Sequence, residues 1–167
     1  MEVVLYQPEI AGNVGACIRL SANTNIPLNI VKPLGFNFQE NKIRRAGLDY
    51  HDLASVSMYE DWNEFKRDIN LDNVAYLSSN GGKNIWDIQL NNFTHLVFGP
   101  ESVGLPKEIL EESDNTITIP NVNRSWQVQC IGEMYFLLNK SGFDQESQRS
   151  VCANGARVIR PPICGYL

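Results

Sequence analysis

The sequence predicts an α/β fold with a mostly parallel sheet and helices on both of its faces. Short apolar runs of strand length alternate along the chain with segments whose apolar residues recur at helical spacing. The runs are rich in Val, Ile, Leu and Tyr, and several stop at Gly or Pro, which is typical of buried strands. Strands that alternate with helices in this way form parallel sheets.

Six of these runs are predicted to be strands. They are apolar or alternating in polarity, and turn-forming residues follow most of them, such as Gln-Pro, Lys-Pro and Gly-Pro. In chain order the predicted strands are residues 3–6, 28–31, 56–59, 74–77, 96–98 and 116–120.

Four segments between and after the strands are predicted to be helices. Asn13 is expected to cap the first one, because asparagine side chains accept the unpaired N–H groups of a first helical turn. Asp61 opens the second helix, and Pro106 stands at the start of the third, where proline is favoured. The predicted helices are residues 14–22, 61–68, 107–112 and 131–138.

Size and composition indicate one ordinary domain. The chain has 167 residues, of which 43% are hydrophobic and 20% charged, so it can bury a full core. We expect that domain to span residues 1–143. Residues 144–167 show no period and end in a proline-rich segment, so we expect a loose tail there.

Charge and cysteine usage restrict the partners. The net charge of −5 gives no bulk attraction for nucleic acid, so RNA binding would need a local basic patch. No apolar run approaches the roughly 20 residues of a membrane span. The four cysteines have no zinc-like or disulfide-framework spacing. We therefore expect a cytoplasmic protein with no metal and no membrane partner.

The stretch at residues 94–106, T-H-L-V-F-G-P-E-S-V-G-L-P, is the strongest candidate site. A strand, a loop and a helix start follow one another there, which is where open α/β sheets bind ligands. Gly99 and Gly104 lack a Cβ, so their backbone can turn sharply or approach a ligand, and Glu101 supplies a fixed acceptor. A tight turn with a solvated glutamate explains the same residues about as well.

Two further segments are candidates. Residues 78–82, S-S-N-G-G, form a second loop at a strand end that could line the same crevice, or be only a turn. A basic segment with a nearby histidine is a candidate for binding phosphate groups. The alternative is that its charged residues only form the solvated face of a helix. That segment contains Lys42, Arg44, Arg45 and His51. Nucleotide-binding glycine motifs and a serine nucleophile elbow are absent from the sequence.

Four ordered blocks of the chain resemble the SPOUT superfamily of RNA methyltransferases. Within that superfamily, they are most similar to the tRNA (cytidine/uridine-34) 2'-O-methyltransferases. The blocks are V-L-Y-Q-P-E-I-A-G-N-V-G-A-C-I-R-L-S-A-N-T (4–24), P-L-G-F (33–36) with R-R-A-G-L-D-Y-H (44–51), F-G-P-E-S-V-G-L-P (98–106) and I-P-N-V-N-R-S (119–125). The resemblance covers residues 3–125.

The resemblance implies a C-terminal trefoil knot, a homodimer and S-adenosylmethionine as cofactor. It implies that Arg19 and Asn13 are catalytic, with Glu9 helping to shape the pocket. It assigns cofactor binding to three loops that include Leu77, Ser79, Gly81, Gly99, Glu101, Gly104, Ile119 and Gln127. It implies methylation of the ribose 2'-hydroxyl at wobble position 34, on the anticodon stem-loop of tRNA.

The chain departs from the family after Ser125. The family continues with L/M-N-L-S-N, whereas this chain has W-Q-V-Q-C at residues 126–130, so Gln127 and Gln129 replace the expected Asn and Ser. In the family these positions belong to the knot and the cofactor pocket. The alternatives to an active methyltransferase are therefore a weak or inactive RNA-binding relative and a small-molecule enzyme unrelated to RNA.

Overall fold

The structure, a computed structural model, describes residues 1–38, 56–67, 69–78 and 82–119. The strands in these ranges are β1 (Glu2–Tyr6), β2 (Leu28–Val31), β3 (Val56–Tyr59), β4 (Val74–Leu77), β5 (Lys83–Asn84), β6 (His95–Phe98) and β7 (Thr116–Thr118). The α-helices in these ranges are α1 (Ala11–Thr24), α2 (Trp62–Lys66) and α3 (Lys107–Leu110). Short 3₁₀ turns lie at Leu71–Asn73, Ile85–Asp87 and Leu90–Asn92.

The described strands form one sheet in the order β3-β2-β1-β6-β4-β7-β5. Every pairing between neighbours in this order is parallel. Strand β1 lies inside the sheet, with β2 on one side and β6 on the other. The prediction of a mostly parallel sheet is confirmed.

Alternate residues of the central strands feed two separate hydrophobic clusters, one on each face. On the first face, Val3 and Leu5 of β1 pack with Val14, Cys17 and Ile18 of α1. On the second face, other residues of the same strands pack with α2 and α3; this cluster includes Val4, Tyr6, Trp62, Phe65, Val97 and Ile109. Helices on both faces are therefore confirmed, and the central strands are buried on both faces, whereas the edge strand β3 is partly exposed.

Helix α1 begins earlier than predicted. It starts at Ala11, the preceding residue Ile10 provides no side-chain cap, and Asn13 lies within the first turn. The prediction of Asn13 as the cap was wrong because its side chain donates to Glu101, a residue distant in sequence. The prediction for Asp61 is confirmed, since its Oδ1 accepts the N–H of Glu64 at 2.8 Å.

Three other boundaries differ from the sequence pattern. Strand β5 was missed because its two residues are too short to show a period, and it is recognised only by its pairing with β7. Strand β7 stops at Thr118, and α3 stops at Leu110. The predicted helix at 131–138, the tail at 144–167 and the expected knot lie outside the described residues. Within the described ranges, no helix has the length and apolarity to cross a membrane.

Candidate functional site

The junction between β1 and β6 is a topological switch point. The two strands are neighbours and parallel, so their carboxyl ends meet at one edge of the sheet. The chain leaves β1 toward α1 on the first face, whereas it leaves β6 toward α3 on the second face. Connections that diverge in this way open a crevice between the strand ends, where α/β proteins bind ligands.

Four polar residues join the loops that follow these two strands. We call Glu9, Asn13, Glu101 and Ser102 the two-loop network. The Glu101 carboxylate accepts the backbone N–H of Glu9 at 2.7 Å and the side-chain NH₂ of Asn13 at 3.1 Å. The Glu9 carboxylate accepts the backbone N–H of Ser102 at 2.9 Å and its hydroxyl at 2.8 Å. Each loop therefore supplies both a donor and an acceptor to the other.

Glu101 has the environment of a structural carboxylate. Its exposed fraction is 9%, and each of its oxygens accepts one hydrogen bond, one from the Glu9 N–H and the other from the Asn13 side chain. It lies at the N-terminal end of α1, where the helix dipole stabilises a negative charge. Because a carboxylate can only accept, Asn13 must turn its NH₂ toward Glu101, and its carbonyl oxygen is directed elsewhere. The Asn13 carbonyl oxygen is therefore an acceptor that the contact with Glu101 does not use.

Two glycines of the loop after β6 (the β6 loop, residues 99–106) are required for different structural reasons. A Cβ on Gly99 would collide with the backbone of Gly104 and Leu105, so the loop folds back directly over this residue. Gly104 has φ +73°, which only glycine adopts without strain, although no atom lies within 4 Å of its Cβ position. The loop therefore presents bare backbone at the strand end, as the sequence indicated.

The described parts of the three predicted cofactor loops lie together. The strands before them, β6, β4 and β7, are consecutive in the sheet and parallel. Leu77 ends β4 and is buried, Gly99 follows β6, and Ile119 is half-buried just after β7. The N–H of Ser78 donates to the carbonyl of Ile117 at 2.9 Å, so two of these loops start already joined.

Arg19 does not belong to the two-loop network. It lies on α1, and its side chain is exposed. Six residues separate it from Asn13, which corresponds to about 9 Å along the axis and about 240° around it. The structure therefore brings Glu9, Asn13 and Glu101 together, and it places Arg19 on another side of the same helix.

Other predicted site residues lie outside the described residues. They are Ser79 and Gly81 of the second loop, Gln127 of the altered motif, and the RNA-contact candidates Lys42, Arg44, Arg45 and His51.

Sequence reasoning missed Ser102 and Gly35. Ser102 is the residue of the β6 loop that Glu9 binds. A Cβ on Gly35 would lie 2.7 Å from the Cα of Glu9, so the loop after β2 packs directly against the loop after β1. No local signal identifies either residue, because each owes its importance to a contact with Glu9, which is distant from both in the sequence.

The shifted titratable groups lie on the second face rather than in the network. Burial, with a smaller effect from Glu112, raises the pKa of Tyr76 to about 12. Burial lowers the pKa of His95, although the neighbouring Glu2 acts in the opposite direction. Among the residues described, no group of three or more metal-binding side chains is found. Geometry, and not a perturbed pKa, identifies this site.

The comparisons with known proteins agree with this geometry. A model of the SpoU rRNA methylase family matches residues 1–126, which include both loops of the network. The tRNA (cytidine(34)-2'-O)-methyltransferase of Saccharophagus degradans is 40% identical over 125 residues, which are 74% of this chain and 81% of that protein. The protein of the same name from Escherichia coli K12 is 38% identical over 124 residues, 73% of this chain and 79% of its own.

A solved structure concerned with the 2-OH methylation of C/U34 on tRNA has the same fold. It matches with a TM-score of 0.67 and 29% sequence identity, and the match covers 91% of this chain and 96% of that one.

Proposed function

This chain belongs to the SpoU methylase family, and we propose that it methylates the ribose 2'-hydroxyl of wobble nucleotide 34 in tRNA. The methyl donor is S-adenosylmethionine. The observation that carries the proposal is the 40% identity, across 74% of the chain, to a protein named for this reaction. The family match includes both loops that meet at the switch point.

The described residues fit the cofactor. Three adjacent strand ends converge, and the loop after β6 is folded so tightly that Gly99 has no room for a side chain. Backbone N–H and carbonyl groups of such loops can bind the polar edges of a nucleoside, while buried Leu77 and half-buried Ile119 offer apolar contact. We assign cofactor binding to these loops, including Ser79, Gly81, Glu101, Gly104 and Gln127, with Glu101 holding the loop in place.

The cofactor, when bound, supplies a methyl group on a sulfonium, a good leaving group. The residues of this chain must hold the hydroxyl in line with it and accept or stabilise the charge that changes there. We assign to the Asn13 carbonyl oxygen, which the contact with Glu101 does not use, a hydrogen bond from the ribose hydroxyl that orients the hydroxyl oxygen. Neither Asn13 nor Arg19 takes up the hydroxyl proton, which passes to solvent water as the oxygen bonds to the methyl group. We assign the Arg19 guanidinium electrostatic stabilisation of the negative charge that develops on that oxygen, or of a neighbouring phosphate.

A second copy of the chain completes the site in this proposal. Asn13 and Arg19 face different sides of α1, so the crevice of one subunit does not bring both side chains to the same point. A homodimer allows one subunit's Arg19 to serve a pocket built with its partner. The anticodon stem-loop is proposed to be contacted by Lys42, Arg44, Arg45 and His51. A C-terminal knot is proposed to complete the cofactor pocket, and the cytoplasm is proposed as the compartment.

The test is methyl transfer from radiolabelled S-adenosylmethionine to a tRNA transcript, with the product located by nuclease digestion and mass spectrometry. We expect one methyl group, on the ribose of nucleotide 34. Arg19→Ala should lower the single-turnover rate by about 10²-fold, the usual effect of losing one group that stabilises transition-state charge. Arg67→Ala is the matched control, because Arg67 is also exposed and ends α2 on the second face. Methylation at another position, or equal rates for both variants, would refute these assignments.

A weakly active or inactive RNA-binding relative is the second candidate. It is favoured by one observation: the family match ends at residue 126, where the sequence departs from the family motif. Calorimetry separates the two functions. Saturable binding of S-adenosylmethionine supports the enzyme, whereas salt-dependent tRNA binding without cofactor binding at millimolar concentration supports the relative.

A further inference from the structure

We propose that Glu9 is a positioning residue that couples the β6 loop (residues 99–106) to the start of α1. The inference rests on the proposed function, because it concerns the same cofactor loop and the same helix. Glu9 acts through Ser102 and Glu101 and is not assigned any contact with substrate.

Glu9 is bonded to the β6 loop through both its backbone and its side chain. Its N–H donates to Glu101 Oε2 at 2.7 Å, and its carboxylate accepts both donors of Ser102. One residue of the first loop thus makes three hydrogen bonds to two consecutive residues of the second. Hydrogen bonds to a carboxylate are shorter and stronger than neutral ones, which favours a fixed spacing between the loops.

The backbone of Glu9 is also held from a third direction. The loop after β2 lies against it, since a Cβ on Gly35 would be 2.7 Å from the Cα of Glu9. In the same contact, the N–H of Gly35 donates to the carbonyl of Pro8 at 3.0 Å. With its backbone fixed by neighbours on two sides, Glu9 can transmit position to Ser102 through a side chain that has little freedom to adapt.

Helix α1 needs this external support. Ile10, at the N-cap position, makes no side-chain cap bond, and the first turn contains no acidic residue. Glu101 provides the missing negative charge from the other loop, and Glu9 holds the Glu101–Ser102 segment where that charge is useful. Removing the Glu9 carboxylate therefore removes two of the four described hydrogen bonds of the two-loop network and loosens the β6 loop relative to Asn13 and α1.

The test compares wild-type protein with Glu9→Ala and Glu9→Gln, all as full-length chains. Glutamine retains an oxygen for the Ser102 N–H, and its NH₂ can donate to the Ser102 hydroxyl, so it should rescue most of the function. Glu111→Ala is the matched control, because Glu111 is an exposed glutamate at the end of α3, outside the network. Two readouts are taken: hydrogen exchange of the Ser102 amide, and the single-turnover methylation rate at saturating cofactor and tRNA.

We expect Glu9→Ala to lose at least tenfold protection at the Ser102 amide and about 10- to 100-fold in rate, as misplacement of reacting groups by about 1 Å does. Glu9→Gln and Glu111→Ala should stay within about threefold of wild type. Combining Glu9→Ala with Ser102→Ala should add little to Glu9→Ala alone, since both remove the same contact.

The two readouts separate the possible failures. Unchanged Ser102 protection in Glu9→Ala would overturn the inference whatever the activity. Lost protection with an unchanged rate would overturn the positioning role in an active enzyme. A wild-type protein that transfers no methyl group, but whose Ser102 protection depends on Glu9, would refute the proposed function and support the coupling of the loops.

Discussion

Replacing Tyr76 by phenylalanine is expected to stabilise the protein. Tyr76 is fully buried in β4, with its ring 6.3 Å from that of Trp62, and within the described part of the chain its hydroxyl has no hydrogen-bond partner. A buried polar group without a partner costs about 1–3 kcal/mol, while the ring itself is kept in Tyr76→Phe. We expect a gain of about 1 kcal/mol in the free energy of unfolding at neutral pH.

The gain should increase at alkaline pH. Burial raises the pKa of Tyr76 to about 12, with a further effect of Glu112, whereas an unfolded tyrosine titrates near 10. Because the folded state favours the neutral hydroxyl, this contribution is complete below pH 10 and is lost as the pH rises from about 10 to about 12. Two pKa units correspond to about 3 kcal/mol above pH 12, of which about 2 kcal/mol is expressed at pH 11.5, so the advantage of Tyr76→Phe should reach about 3 kcal/mol at that pH.

Urea unfolding from neutral pH to about pH 11.5 measures both effects. Tyr59→Phe is the control, because the Tyr59 hydroxyl donates to Asn29 Oδ1 at 3.5 Å and its removal should bring no gain. Destabilisation of Tyr76→Phe by 1 kcal/mol or more at neutral pH would refute the reasoning about an unpaired hydroxyl. A constant difference across the pH range would refute the raised pKa.

Three other changes test the site and the second face. Glu101→Ala should lower the free energy of unfolding, measured in urea, by about 2–4 kcal/mol, because it removes a carboxylate that accepts two hydrogen bonds. The control Glu111→Ala should change this free energy by less than about 0.5 kcal/mol. Gly99→Ala should abolish the calorimetric binding of S-adenosylmethionine, because the new Cβ would collide with backbone that cannot move away. Gly12→Ala is its control: no atom lies within 4 Å of the new Cβ, so this variant should bind the cofactor normally. Its free energy of unfolding should rise by up to about 1 kcal/mol, because alanine is a better helix former than glycine. The pKa of His95 is lowered in the folded protein, so the unfolded chain binds a proton more readily and stability should fall as the pH drops below about 6.5. His95→Gln should reduce this fall. An NMR titration that gives His95 an ordinary pKa would contradict the prediction.

The elements that sequence predicted best are those whose signal is local. The runs at 28–31, 56–59 and 74–77 have the length and composition of buried strands, and the structure has strands at these same residues. Asp61 was identified as a cap because its acceptor and the N–H it satisfies are three residues apart. In such cases the chemistry that decides the structure is contained in a short window.

The features that were missed depend on contacts between distant segments. Asn13 looks like a helix cap from its neighbours alone, but Glu101, 88 residues later, takes its NH₂. Ser102 and Gly35 owe their importance to Glu9, and nothing near them in the sequence indicates that contact. The glycines of the β6 loop were correctly interpreted because their own backbone requires them, although the sequence did not specify which atoms they approach.

The central place of β1 has a consequence for how the protein is made. β1 leaves the ribosome before both of its neighbours in the sheet. One of them, β2, follows within about thirty residues, whereas the other, β6, is completed only at Phe98. A nascent chain that ends before β6 therefore has an unsaturated strand edge in the middle of its future sheet, a surface prone to aggregation. Glu9 acquires its partners only four residues after that edge is closed, at Ser102, so the two-loop network and the protection of the nascent sheet are completed at nearly the same moment of synthesis.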